Sequence, residues 1–585
     1  MSSLIPLTVA IPLLSAAAIA AGGRFVAARV ANLAALAAAS AVTVISTILL
    51  VHSATHTSVH WFGGWRPRHG VAIGVAFAVD PLGVSLAAFA ALLMCAALVF
   101  SWSYFDRVGP LFYTLMLGFL AGLVGFALTG DLFNLFVFFE LMSVSAYALT
   151  GYRIREEGAL QGALNLAITN SIGAFLVALA IALVYGRTGA LNMAQAGEAL
   201  ARQKTGGLVI AALVLFTVGF LVKAGAVPFH FWLSDAYAVA PAPVGVLLTG
   251  VMSDLGYHAV ARVYSAVFSA PTAAHADAVR GMLIGAGLVT ALLGAVMALL
   301  QADLRRLLAF VTVSHGGIFL IGIALLRARG LAGSALYVVA DGAFKAAFFL
   351  VVAIVVIRLG SGDELALRGR GHGQLILGAL FALCGLGFAG LPPFGPFLAK
   401  SLIDEAARGA GFGWIPPLVT LATLVTAAAV FRAAGRIFLG LGAARDELLT
   451  SQPEEPEEGR ESPRFPLFAP VIALLVVGFG LAFVPGIAAQ AERQAARFQD
   501  RAGYVAEVLR GEPPRLEALP REAYRTPDWI AGAVSAAGAV GLAALLLRRP
   551  AAALHAVHSG AVGDYAVWIC AGAAAFSVVW TVTLR

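Results

Sequence analysis

About sixteen apolar runs follow one another along this chain, each near the ~20 residues that an α-helix needs to cross the hydrocarbon of a bilayer. They lie near 3–21, 27–52, 80–104, 109–129, 132–152, 160–186, 206–226, 242–268, 281–301, 306–326, 331–358, 375–392, 413–440, 465–489, 528–547 and 562–583. A further apolar stretch, 394–407, follows 375–392 after a break. Only 12% of the residues are charged, against about 25% in a soluble domain. Such a chain cannot cover a water-facing surface, so the solvent for most of it is lipid. The fold class expected is an all-α polytopic membrane protein with about 14–16 transmembrane helices.

The residues between the runs set the expected orientation. With the N-terminus outside, the inside loops carry Arg24, Arg29, Arg107, Arg153, Arg155, Arg305, Arg306, Arg368, Arg370, Arg436, Arg445, Arg548 and Arg549. The short outside loops carry fewer basic residues: Arg66, Arg68, Arg187, Arg202, Lys204, Arg280, Arg327 and Arg329. That asymmetry favours an outside N-terminus in a cell's inner (plasma) membrane. Residues 3–21 lack a charged n-region followed by an A-x-A site and read as a first span, not a signal peptide. The net charge of +7 is explained by these anchors. No basic stripe interleaved with aromatics points to nucleic acid.

Two loops stand apart. Residues 451–464 are rich in proline and glutamate and read as a flexible inside loop. Residues 490–526 are polar and open with a candidate amphipathic helix, in which Phe498, Val505, Val508 and Leu509 fall near one face. That face fits a membrane surface or a partner subunit; the plain alternative is a solvated connector.

The chain has four lysines. Lys204 lies in a loop, whereas Lys223, Lys345 and Lys400 fall inside apolar runs or at their breaks. A charged side chain at the bilayer centre costs at least about 2.5 kcal/mol on insertion scales. Arginine keeps its proton in any protein environment, whereas a desolvated lysine can give its proton up. Glu140 sits among phenylalanines in LFNLFVFFELMSVSAYAL. His230, Asp235, Asp254, His258, His315 and Asp341 are further polar groups within or beside apolar runs. One such group is often helix-to-helix glue. A series spaced along the chain is more economically a hydrophilic path.

Broken helices point the same way. Lys223 precedes AGAVPFHFWL and Lys400 follows GLPPFGPFLA. A Pro/Gly break frees backbone groups, which is tolerable only beside protein or a hydrated cavity. Discontinuous helices near Lys223 and Lys400 suggest two inverted repeats, a pattern of transporters. The expected organisation is two N-terminal helices and an outside loop (1–79), a first half (80–269), a second half (270–440), the inside loop (441–464) and C-terminal helices (465–585). No metal or cofactor is expected. Cys95, Cys384 and Cys570 stand alone in apolar runs, and no nucleotide loop, HExxH or GxSxG is present.

Four stretches carry a family resemblance. They are GDLFNLFVFFELMSVSAYALTGY with Glu140, LVKAGAVPFHFWLSDAYAVAPAPVGVLL with Lys223, Pro228, His230, Trp232 and Pro243, DLRRLLAFVTVSHGG with Ser314 and His315, and the pair GAFKAAFFL and GLPPFGPFLAK with Lys345 and Lys400. Across residues 80–440 the chain resembles the antiporter-like subunits of complex I, of Mrp-type Na+/H+ antiporters and of membrane-bound, hydrogenase-4-like hydrogenases. The resemblance implies a Glu140–Lys223 ion pair that opens and closes. It implies proton passage from Lys223 toward Lys345, with exit or entry through Lys400 and bridging by buried waters and His315. His230, Asp254, His258 and Asp341 would be accessory. Two departures stand out. Asp254, in VMSDLGYH, occupies a place where the family usually has lysine, and Asp341 stands where it often has histidine. Asp341, one turn before Lys345, could pair with it; Asp254 could pair with Lys223 or Lys345.

The expectation is a proton-translocating, or Na+/H+-exchanging, membrane subunit that works with other membrane subunits in a larger complex. Three alternatives stay open: a stand-alone secondary transporter, the proton-coupling membrane partner of an inorganic-carbon uptake system, and a structural scaffold in which the buried lysines are dispensable. Whether it is part of an enzyme, a proton-translocating oxidoreductase, depends on its partners.

Overall fold

A computed structural model describes residues 2–53, 58–105, 108–203, 205–442, 467–511 and 529–547, with 572 and 574. The expected loop 451–464 and the run near 562–583, apart from 572 and 574, lie outside the described residues, as does 512–526. Helices account for nearly all of the regular structure, and twelve of those described are long and apolar enough to cross a membrane. The protein is an all-α polytopic membrane protein.

Helices α1 (Leu7–Gly22) and α2 (Ala28–Ser53) lie at the periphery, packed on α3 (Pro81–Tyr104) and α4 (Pro110–Leu128). The outside loop expected between the second and third spans holds a small antiparallel hairpin, β1 (Ser58–Trp61) with β2 (Ala76–Val79), which hydropathy alone did not reveal. After α4 come α5 (Leu132–Thr150), α6 (Glu157–Thr188), the short α7 (Met193–Ala201), α8 (Gly207–Ala224) and α9 (Phe231–Val239). Then α10 (Ala242–Leu247) runs through a π turn, Leu248–Met252, into α11 (Ser253–Val263), and a second π turn follows at Tyr264–Phe268. The next helices are α12 (Ala276–Leu300), α13 (Leu304–Ala324), α14 (Ala328–Leu359), α15 (Leu375–Phe388), α16 (Gly395–Gly409) and α17 (Ile415–Leu439).

Two stretches of this series share a backbone plan. Asp131 caps α5 by accepting from the Asn134 amide at 2.9 Å, and Asp303 caps α13 by accepting from the Arg306 amide at 2.8 Å. Asp131 is bridged to Asn192, just past the end of α6, and Asp303 to Asp363, just past the end of α14. The offsets are 303 − 131 = 172 and 363 − 192 = 171 residues. Both α6 and α14 are 32 residues long and end on a glycine in the left-handed region, Gly189 and Gly360. Each is followed by a broken helix, α8–α9 or α15–α16.

Apolar surface gains little by leaving lipid for protein, so helices in a bilayer associate through close packing. Glycines supply it here. A Cβ on Gly342 of α14 would lie 2.5 Å from the carbonyl oxygen of Gly250, in the first π turn. Gly219 of α8 is placed in the same way against the Gly173 oxygen of α6, at 2.7 Å.

The C-terminal part departs from expectation. The run near 465–489 forms α18 (Phe468–Gly480) and a 3-10 turn, and the chain then bends by 88° into α19 (Ile487–Gln499). Pro485 and Gly486, with φ of 71° at the glycine, lie at the bend. Next come α20 (Arg501–Val505), a π turn at Ala506–Arg510 and, further on, α21 (Trp529–Leu546). The amphipathic face is present: Phe498, Val505, Val508 and Leu509 are all buried. It covers its own chain. Arg497 donates to the Ser53 carbonyl, Arg501 to that of Gly197, and Arg510 pairs with Glu198 at 3.0 Å. Arg329, in the first turn of α14, bridges Glu405 and Glu492.

Candidate functional site

The interior holds three lysine centres. At the first, Lys223 lies in the last turn of α8, fully buried, and Gly225 ends that helix with a φ of 68°. The break that follows leaves backbone groups which side chains recover. The Trp232 indole donates to the Val222 carbonyl at 3.0 Å, and Thr290 of α12 accepts from the Val227 amide at 3.2 Å. A stranded backbone group at this depth would cost several kcal/mol. The Lys223 ammonium donates to Ser143 of α5 at 2.8 Å and lies 4.8 Å from the centre of the Phe139 ring. Glu140 is on the same helix, one turn before Ser143, and is half-buried. The expected Glu140–Lys223 ion pair is open in this structure: the two groups interact through space, and the lysine is held by the serine.

At the centre, Lys345 of α14 is bound by two carboxylates, Asp254 of α11 at 3.2 Å and Asp341 of α14 at 3.3 Å. Of the two partners open to Asp254 from sequence, the structure selects Lys345. Asp341 also meets Nδ1 of His315, from α13, at 2.6 Å. Opposite on the ring, Nε2 lies 3.1 Å from the Thr426 hydroxyl of α17. None of Lys345, Asp254, Asp341 and His315 is more than 2% exposed. The Asp254 helix is flanked by both π turns, a distortion frequent at functional sites.

At the third centre, Lys400 lies in α16, just past the distal break. It donates to Asp404, one turn on, at 3.1 Å, and to the hydroxyl of Thr420 on α17 at 2.8 Å. Here too a freed carbonyl is recovered: Ser535 of α21 donates to the Ala389 oxygen at 2.9 Å.

The remaining sequence candidates sit apart from the lysines. His230 lies in the first break with its ring against Phe231 and Phe310. Asp235 is held by Asn165 at 2.8 Å and by Arg306 at 3.4 Å. His258, one turn beyond Asp254, lies near Arg262, which pairs with Asp80 at 3.1 Å. The strap from α19 to α20 lies over this group, with Phe498 and Tyr504 stacked on the Arg262 guanidinium.

Several partners were missed from sequence. Ser143, Asp404, Thr420 and Thr426 carry no signal of their own, because serine and threonine are common in membrane helices and Asp404 sits in a short polar-ended run. Glu364 was also missed. It lies beyond the end of α14 and pairs with Arg432, at 3.0 Å, and with Arg436 of α17. Burial pushes its carboxyl up, against the opposing pull of the two arginines.

Fold and site together define a class: polytopic membrane proteins with two similarly built helical units, each with a broken helix beside a buried lysine. The comparisons narrow this. Residues 129–426 match the family model described as NADH:quinone oxidoreductase/Mrp antiporter, TM. The chain is 30% identical over 453 residues to NADH-quinone oxidoreductase subunit N of Desulforudis audaxviator, covering 76% of this chain and 88% of that one. It is 25% identical over 452 residues to a Na(+)/H(+) antiporter subunit of Bacillus subtilis, covering 76% and 87%. Among solved structures, a chain of the Mrp complex from Dietzia sp. superposes with a TM-score of 0.75 and 25% identity, covering 87% of this chain and all of that one. The chain belongs to the NADH:quinone oxidoreductase/Mrp antiporter transmembrane family.

Proposed function

We propose that this chain is the proton-translocating, antiporter-like subunit of a multi-subunit membrane complex, and that protons move along Glu140, Lys223, Lys345 and Lys400. The observation that carries this is the charge placement. Three lysines are buried within the helical bundle, each held by hydrogen-bond acceptors and each with a carboxylate that acts on it.

At the first centre, Lys223 is held by Ser143, which lies one turn from Glu140 on α5, so a side-chain rotation of the lysine alternates its partners. Closing the pair favours the ammonium; opening it leaves the amine desolvated and ready to release its proton. At the central cluster, His315 and Asp341 accept or hold charge as Lys345 changes state. At the third, Lys400 exchanges with Asp404. His230, Asp254 and His258 act as accessory groups.

Five crossings separate Asp131 from Asp303 (α5, α6, α8–α9, α10–α11 and α12), an odd number that would set the two units in opposite senses. Asp131–Asn192 would then face one side of the membrane and Asp303–Asp363 the other. The arginine distribution supports an outside N-terminus in the plasma membrane.

The test is proton flux in inverted vesicles from the native host carrying the assembled complex. Glu140→Ala and Lys345→Ala are expected to abolish flux while the subunit remains inserted. Wild-type flux in both would refute the path. Replacing sodium by choline in the same assay decides whether Na+ is the counter-ion.

A further inference from the structure

Between the central and distal lysines runs a line of hydroxyls on one face of α17. Thr420, Thr423 and Thr426 are spaced i, i+3 and i+6, so they stack one turn above another. Thr423 and Thr426 are at most 1% exposed. Thr426 donates to the Thr423 carbonyl at 3.0 Å, and Thr423 to the Thr420 carbonyl at 3.0 Å. Bonding to the preceding turn is ordinary for threonine in a membrane helix. The two ends are not ordinary. The upper hydroxyl meets Nε2 of His315 at 3.1 Å and the lower one accepts from the Lys400 ammonium at 2.8 Å. Ser535 of α21 sets its own hydroxyl 3.5 Å from that of Thr423 while its proton goes to the Ala389 carbonyl. This serine lies beyond residues 129–426, in the C-terminal part.

We infer that Thr426, Thr423 and Thr420 form the proton relay between His315 and Lys400, and that Ser535 on α21 forms the wall that closes it. The inference rests on the proton path proposed above. With Asp341 at Nδ1, that nitrogen carries its proton and Nε2 is the atom that changes role. When Nε2 is bare it accepts from the Thr426 hydroxyl. When it is protonated it donates, and the Thr426 proton turns to a carbonyl. A proton handed from Nε2–H to the Thr426 oxygen is matched by release of that hydroxyl's own proton toward Thr423. Thr423 passes one to Thr420, and the Thr420 hydroxyl gives one to the Lys400 amine. Each hydroxyl ends with the proton count it began with. Successive side chains lie one turn apart, about 5–6 Å between their Cβ atoms, a gap that a single water spans.

The experiment uses the assembled complex in inverted vesicles and compares proton flux, per inserted subunit, for Thr426→Val, Thr426→Ser, Thr423→Val and Lys223→Ala. Valine keeps the shape and removes the hydroxyl; serine keeps the hydroxyl and removes a methyl. A relay predicts that Thr426→Val and Thr423→Val lower flux about tenfold or more, and that Thr426→Ser retains it along with the wild-type solvent deuterium isotope effect. A packing role predicts the reverse order, flux kept in valine and lost in serine, and that order overturns the relay. Lost flux in Lys223→Ala with wild-type flux in both valine variants overturns the relay and leaves the lysine path standing. Wild-type flux in Lys223→Ala overturns both.

Discussion

At the scale of single residues, the central cluster shows why the two departures from the family pattern are compatible with a folded core. Two acids in place of two bases would leave uncompensated negative charge, were they not both turned onto Lys345. Breaking a buried pair by removing one partner costs about 3–5 kcal/mol. Lys345→Ala should therefore lower the thermal stability of the detergent-solubilised complex as well as its flux. Adding Asp254→Asn and Asp341→Asn to it should restore stability without restoring flux. An unchanged melting temperature in Lys345→Ala alone would show that the two carboxylates do not depend on the lysine. The lysines were legible in sequence because charge in an apolar run is conspicuous. Their partners Ser143, Asp404 and Thr420 were not. A hydroxyl in a membrane helix already has a carbonyl within its own turn to bond, and Asp404 lies near the polar end of its run.

At the scale of elements, the apolar runs marked the helices but not their facing. A helix in lipid is apolar all round, so no polar face tells which side meets protein. The glycines supply part of that information. Gly342 meets Gly250 across the contact of α14 with the first π turn, three residues before Lys345. Gly342→Ala sets a Cβ against that carbonyl and is expected to cost about 1–3 kcal/mol, read as a lower melting temperature. Gly281→Ala, where a Cβ meets open space, should leave it unchanged; equal effects at both sites would contradict the close approach. The hairpin β1–β2 and the docking of the strap α19–α20 escaped the sequence reading for a related reason. Short polar segments reveal an amphipathic face, as Phe498, Val505, Val508 and Leu509 did, but not the surface it covers.

At the scale of the whole molecule, the repeated plan emerges from backbone ties and not from residue identity. Asp131–Asn192 and Asp303–Asp363 hold equivalent places 171–172 residues apart. Yet Ser143, twelve residues after Asp131, corresponds to His315, twelve after Asp303, so the two units carry different chemistry at one position. The arginine count predicts opposite sides for the loop that carries Arg68 and the loop that carries Arg370. In a background with the native cysteines replaced, Arg68→Cys should react with an impermeant maleimide from outside intact cells and Arg370→Cys should not; the opposite pattern would invert the topology. Mass spectrometry of what co-purifies with the tagged chain should find further membrane subunits, and a chain recovered alone would remove the complex from the account.

On the proposed path, the first buried lysine works by gaining and losing its proton. Proton flux through the assembled complex with Lys223→Arg, set beside Lys223→Ala, tests it most directly. Arginine keeps the charge and cannot release it, so both variants should be inserted at wild-type levels and both should fail to move protons. Full flux with arginine and none with alanine would mean that Lys223 is a fixed structural charge, and that the path does not pass through it.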